Sequence, residues 1–433
     1  MIRRLCFLMV LLWVAGHAGA QDLPALRHDI DTLCSPYFAG RGYVAQGMAK
    51  TADWLSARFA QLGLRSFTDN YQQSYTFPVN TFPGNMSLQL DGRTIPAGTG
   101  FLVLPGSRSI TCNDLRIVPV DLSKVRDEKT WLQRCAKMGR QEQAAYLLQD
   151  IDVAGKAMGK SREQLLAGLQ RGLYLLSESG LPLWSVATDT LPATVLQVYD
   201  SALSSSLPRR ITADIESLFV PHFRAANIAG YVPGREQPDS FIVITAHYDH
   251  LGKMGREALF PGASDNASGT AMLLALARFY AAHPGRYSIA FILFGGEEAG
   301  LVGSSFYVAH PLFPLQQIRM LLNLDILGDA PKGIVMVNGK AYPEVVQELE
   351  TLNRMDNEGR SSRTYVPEIR LRDNAPNSDH YPFSLKGVPA FFIYSVGGKG
   401  FYHNTYDEAA SLGLENIPAL SSLLKQFISA QQQ

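Results

Sequence analysis

Apolar and polar positions fall into two regimes along this chain, and the clearer one occupies its carboxyl-terminal half. FIVITA (241–246), YSIAFILF (287–294), MLLNLDIL (320–327) and VPAFFIYS (388–395) are continuous apolar runs rich in β-branched and aromatic residues. Stretches of helical character separate them, notably Gly269 to Ala282. Unbroken apolar strands alternating with helices predict a largely parallel sheet covered on both faces. Near the amino terminus, residues from about 22 to 66 read as helical, with Met48, Ala52, Leu55, Phe59 and Leu62 along one face.

The second regime lies between these parts. From Asn70 to Gly106, short β-like runs are broken by Pro78, Pro83, Gly84, Gly92 and Pro96. From about 107 to 208, LRIVPV, AAYLLQ, LPLWSV and ATVLQV read as short strands around a charged helical run near Ser161 to Leu176. This stretch lacks the clustered acids and histidines found later. It predicts a smaller β-rich accessory domain, residues 81–210, inserted into a main α/β domain made of 21–80 and 211–433.

Length and composition agree with a large globular core. The chain has 433 residues, 46% hydrophobic and 18% charged, with a formal net charge of zero. Balanced charge gives no reason to expect nucleic acid or an anionic membrane as partner. Arg3 and Arg4, the apolar run LCFLMVLLWVAG and Ala18-Gly19-Ala20 follow the order of a secretory signal peptide. Residues 1–20 are therefore expected to be removed, leaving an exported protein, periplasmic or secreted, with no membrane segment. Of the four cysteines, Cys34, Cys112 and Cys135 would remain. Either a Cys112–Cys135 bridge or three buried thiols is compatible with that.

Candidate chemistry gathers where each strand ends, which is where open α/β sheets place their functional groups. His247-Tyr248-Asp249-His250 follows FIVITA, Ser264-Asp265-Asn266 opens the next helix, and Glu297 and Glu298 follow YSIAFILF between glycines. Asp325 lies within MLLNLDIL, Ser378-Asp379-His380 comes later, and Tyr402-His403 follows the last strand. Any one of these reads as a loop residue or, for Asp265 and Asn266, a helix cap. A charge such as Asp325 inside an apolar strand needs a partner or a metal. Histidines and carboxylates converging on one point suit a pair of divalent ions, and zinc accepts both donor types.

At these residues the sequence resembles the M28 metallopeptidases, the dizinc aminopeptidase type, over roughly 211–430. The resemblance rests on His247-x-Asp249, SDNASG, GGEEAGLVGS, NLDILG, SDHYPF and YHNTYDE. It implies the zinc-exopeptidase fold, a mostly parallel mixed sheet flanked by helices, with the middle region similar to a protease-associated insert. It further implies two Zn2+ per chain, with His247 and Asp325 on one ion, Glu298 and His403 on the other, and Asp265 bridging. Glu297 would be the general base. Asp249 would accept the free N–H of His247, and a cis peptide would follow Asp265. Asp379, His380 and Tyr402 would support the site or position the peptide substrate, whereas Tyr248 and His250 read as loop residues.

Three other activities share the pattern. Glutaminyl cyclases keep much of this donor set with one zinc, but they favour an aspartate near Gly296 and a tryptophan where Tyr402 stands. Carboxypeptidases occur in the same family. A receptor-like descendant would have lost donors, and here all five are retained together with Glu297.

Overall fold

The structure is a computed structural model that describes residues 23–140, 143–200, 207–354 and 364–433. The expected signal segment, 1–20, lies outside the described residues.

The apolar runs become strands because both of their faces are covered. In Gln237–His247, Ile242, Ile244 and Ala246 enter one core cluster while Phe241 and Val243 enter another across the sheet. Tyr287–Phe294 alternates in the same way, and all its residues are buried. Each large apolar side chain so buried contributes about 1.5–3 kcal/mol before entropy is counted. The helices Gly47–Gln61, Gly269–Ala282 and Ile417–Ala430 supply the first cluster, and Val302–Ala309 with His380–Ser384 supply the second.

The main sheet has nine strands. Its centre runs Tyr287–Phe294, Gln237–His247, Ile318–Leu324, Ala390–Ser395, all parallel. Its margins are antiparallel: Leu218–Val232 pairs with Tyr287–Phe294 on one side, and Ile334–Val337 with Ala390–Ser395 on the other. From Gln237–His247 the chain first enters the neighbour on one side and then the neighbour on the other. That reversal opens a crevice at the carboxyl ends of the central strands.

A second sheet of eight strands is built from residues between Met86 and Ile215. Arg210–Ile215 belongs to it, so position 211 falls inside one of its strands. Four of its strands are parallel, Ile110–Asp121, Ala144–Gln149, Leu173–Glu178 and Thr194–Tyr199. The helices Glu128–Met138, Ile151–Met158 and Arg162–Leu166 make this unit α/β rather than purely β. The charged run expected as one helix to Leu176 divides. Ser161 and Gln164 form a capping box for Arg162–Leu166, and Leu173 onward is strand. The reason is in the run itself, since Leu173 and Leu175 face one core and Tyr174 and Leu176 the other. LPLWSV is not a strand; Trp184 within it is buried in the core of this unit. All three cysteines are free. Cys112 packs toward one face of the second sheet and Cys135 lies in the core of the other, which precludes the bridge.

Candidate metal centre

Glu297 and Glu298 leave the core where Gly296 takes φ 68°, a conformation that favours glycine. The turn is tight: a Cβ on Gly303 would stand 2.2 Å from the Gly295 carbonyl oxygen. Asp249, fully buried, holds the turn in place. Its carboxylate accepts from the backbone N–H of Glu297 at 3.1 Å and of Glu298 at 3.3 Å, and from the Tyr43 hydroxyl at 3.0 Å. This differs from the expected role at His247, because the Nδ1 of His247 is closer to the Asp249 carbonyl, 3.2 Å, than to its carboxylate, 3.7 Å. The carboxylate is turned toward the two glutamates instead.

Asp265 sits at the hub. One of its oxygens is 3.1 Å from Nε2 of His247, and the other is 3.1 Å from Nε2 of His403. His247 Nε2 is also 3.1 Å from Asp325, and His403 Nε2 is 3.1 Å from Glu298. The peptide bond between Asp265 and Asn266 is cis. The turn carrying Asp265 is fixed by Asp407, which accepts from the N–H groups of Ser264 and Asp265, and by Asn266, whose amide donates to the Leu324 carbonyl. Asp325 stands one residue past its strand, not within it. A chain of hydrogen bonds aims it: Thr245 to Asn323 at 2.7 Å, Asn323 to Ser378 at 2.8 Å, Ser378 to Asp325 at 2.8 Å.

The donor set fits metal ions. His247, Asp265 and Asp325 offer ligand atoms within 4.8 Å of one another. Bonds of about 2.0–2.1 Å in a tetrahedral zinc site separate neighbouring donors by roughly 3.3 Å, close to the 3.1 Å contacts on each histidine. Charge argues the same way. Asp249, Asp265, Glu297, Glu298, Asp325 and Asp379 converge, and among the described residues their only ion-pair partners are histidines. So much buried negative charge calls for cations.

The protein's own groups shift one another accordingly. Burial opposes charge on His403, but Glu298 and Asp265 outweigh it and push its pKa up to about 11. His247 is raised in the same sense: burial opposes its charge, and Asp325 and Glu297 prevail. For Glu298 burial favours the neutral form, yet His403 and the bond from His250 bring it down to about 2. Asp265 is held well below the usual carboxylate range, its bonds to both histidines overcoming burial. Glu297 goes the other way. Burial raises it well above the ordinary range, His247 opposes, and Asp379, Glu298 and Asp325 add to the rise.

His250 is more than a loop residue. It is fully buried, and its Nδ1 lies 2.7 Å from Glu298. Its ring also comes within ligand distance of Asp265 and Glu298. His403 nevertheless fits that position better, since its Nε2 faces both carboxylates while Nδ1 of His250 is already engaged by Glu298. Tyr248 is a packing residue whose hydroxyl donates to the Ala226 carbonyl. Sequence reasoning passed over Tyr43, Asp407, Trp184 and Arg41. Asp407 could have been found, because it lies in YHNTYDE; the others carry no local signal. Arg41 is fully buried and donates to the carbonyls of Leu33, Tyr248, Pro261 and Gly262, tying the amino-terminal helices to two site loops.

Asp379 and His380 are fully buried behind these donors. Burial raises Asp379 to about 7 and lowers His380 to about 4. An imidazole in the unfolded chain titrates near about 6.5. His380 therefore stays neutral in the fold while the unfolded chain gains a proton. Its contribution is complete above about pH 6.5 and is lost as pH falls toward about 4, on the order of 2–3 kcal/mol. Urea unfolding at pH 7.5 and 4.5 should show His380→Gln losing less stability on acidification than wild type by about that amount. Equal losses would contradict the assignment.

A mixed sheet with two histidine–carboxylate sets meeting at one aspartate defines an α/β protein whose clustered donors could hold metal ions. Residues 227–428 match the model of peptidase family M28. The aminopeptidase YwaD of Bacillus subtilis (strain 168) is 32% identical over 199 residues, 44% of this chain and 40% of that protein. A probable zinc metalloprotease of Pyrenophora teres f. teres is 25% identical over 243 residues, 49% of this chain and 48% of its own. The chain thus spans under half the length of these two relatives. The fold extends further: a zinc aminopeptidase from Bacillus subtilis superposes with a TM-score of 0.66 at 19% identity, covering 94% of both chains. An M28 peptidase precursor from Shewanella amazonensis gives 0.65 at 17%, covering 97% of this chain and 96% of that one.

Proposed function

We propose that this chain is a zinc-dependent aminopeptidase that hydrolyses single residues from the free amino ends of peptides, and that residues 1–20 direct its export. No helix among the described residues is long and apolar enough to cross a membrane. The observation that carries the activity is Asp265, which turns one carboxylate oxygen to each of two histidines at 3.1 Å. On this reading His247 and Asp325 would hold one ion, His403 and Glu298 would hold the other, and Asp265 would offer an oxygen to each. Bound there, the ions would lower the pKa of a shared water and polarise the scissile carbonyl.

The remaining work falls to the chain. Glu297 lies beside the two sets without being one of the contacts to His403 or to Nε2 of His247, and burial has raised its proton affinity. It takes the proton of the attacking water and returns it to the leaving amine. Asp249 keeps both glutamates in place through their backbone N–H groups. Tyr402 stacks on His403 with 3.8 Å between ring centroids and remains 43% exposed, so it faces the incoming peptide. The preference for an amino end follows from charge. The surplus carboxylates attract an ammonium group. A peptide carboxylate would need an Arg or Lys, and the buried guanidinium of Arg41 is committed to four carbonyls.

Removing metal with a chelator should abolish release of leucine from leucine amide, and zinc should restore it along a curve that levels at two ions per chain. Full activity in the metal-free protein would refute the reading.

A further inference from the structure

His403 depends on a segment far from it in sequence. Its backbone has φ 53°, in the left-handed region that side-chain-bearing residues rarely occupy. Such a conformation persists only where the surroundings over-determine it. Trp184, from the inserted unit, does so. The N–H of Trp184 donates to the His403 carbonyl at 2.9 Å, and the Trp184 carbonyl lies 3.0 Å from Nδ1 of His403. This reciprocal pair fixes both the backbone and the ring. A bond from Nδ1–H to a carbonyl leaves Nε2 as the donor atom, and Nε2 is the atom that faces Asp265 and Glu298.

The clamp is itself anchored. The Trp184 indole N–H donates to the Val103 carbonyl in the second sheet at 2.8 Å. Its ring stacks on Phe260 with 4.7 Å between centroids, and Phe260 lies in the ribbon formed by Gly252–Met254 and Ala258–Phe260, just after the His247 loop. Trp184 is only 5% exposed. One residue thus joins the inserted sheet, the ribbon beside the site and the His403 loop.

We propose that the inserted unit is a working part of the metal centre: through Trp184 it positions His403 and so sets the affinity of the ion shared by His403 and Glu298. The proposal rests on the two-ion reading above. Trp184 is a positioning residue, since it touches neither substrate nor ion.

The test is a zinc titration of the full metal-free chain against a competing chelator. In wild type, two binding constants are expected. Trp184→Ala keeps the backbone N–H and carbonyl that bond His403 but removes the indole that anchors them. One constant should stay within about threefold while the other weakens, by up to about the 10- to 100-fold usual when a histidine's outer hydrogen-bond partner is lost. Trp184→Phe, which keeps the ring against Phe260 but not the bond to Val103, should fall between, and it carries the test if the alanine variant does not fold. Adding Trp184→Ala to His403→Ala should change neither constant further, because the effect passes through His403. Two unchanged constants in Trp184→Ala, or equal weakening of both, would overturn the clamp. Uptake of a single ion by wild type would overturn the two-ion reading and this proposal with it, and that outcome is visible without any variant.

Discussion

Glu297→Gln should retain two zinc ions per chain and lose roughly 10³-fold in kcat, within the span usual for removal of a general base. The substitution is nearly isosteric, and the bonds that hold this turn run from backbone N–H groups to Asp249, so the geometry should survive. What disappears is the proton acceptor. Substrate affinity should change little, because the two histidines, Asp265, Glu298 and Asp325 are untouched. A second readout follows from linkage. Burial raises the pKa of Glu297 in the metal-free fold, so the fold binds more protons there than the unfolded chain does. Stability in the metal-free protein is therefore lost as pH rises past about 4.3, where the free side chain ionises. The glutamine variant avoids that loss, and without metal it should melt above wild type at pH 8. Elemental analysis, steady-state kinetics and thermal melts check the three parts. Substantial activity in the variant would remove Glu297 from its role.

Asp265→Ala should lose metal as well as turnover. Each histidine has two carboxylate neighbours at 3.1 Å, and Asp265 is one of them on both sides. Its removal leaves each ion with one histidine and one carboxylate, below the three protein ligands usual for catalytic zinc. Zinc content after dialysis should fall from two per chain toward zero. Glu297→Gln is the natural control, since it removes a neighbouring carboxylate without emptying the site. Equal zinc content in wild type and Asp265→Ala would sink the bridging assignment.

Much of this site was legible because parallel sheets simplify the problem. Once four apolar runs are recognised as strands, the residues just past them must lie along one edge. His247, Asp265, Glu297, Glu298 and Asp325 could be placed together without knowing any distance. His403, beyond a glycine-rich turn after the last strand, joined them by the same rule, and only its pairing with Glu298 came with the family resemblance. The fold's centre was legible for the same reason, whereas its antiparallel margins were not, because pairing direction leaves no trace in an apolar run. The residues that aim the donors were harder. Nothing in RGY marks Tyr43 as the partner of Asp249, and nothing in LPLWSV links Trp184 to a histidine 219 positions away. Such contacts depend on how distant loops meet. His250 was misread for a related reason: a histidine past a strand looks solvated until the loop folding over it is known, and here it is fully buried against Glu298. The run from Ser161 to Leu176 misled because helical charge spacing at its start concealed a strand buried on both faces at its end.

The activity itself is best tested by incubating the zinc-loaded chain with a mixed set of short peptides and reading the products by mass spectrometry. The set should contain free amino termini, acetylated amino termini and several peptides that begin with glutamine. The account predicts stepwise loss of whole residues from free amino ends, with acetylated peptides intact. Loss of ammonia from the glutamine peptides, trimming of carboxyl ends, or no change in any peptide would contradict it.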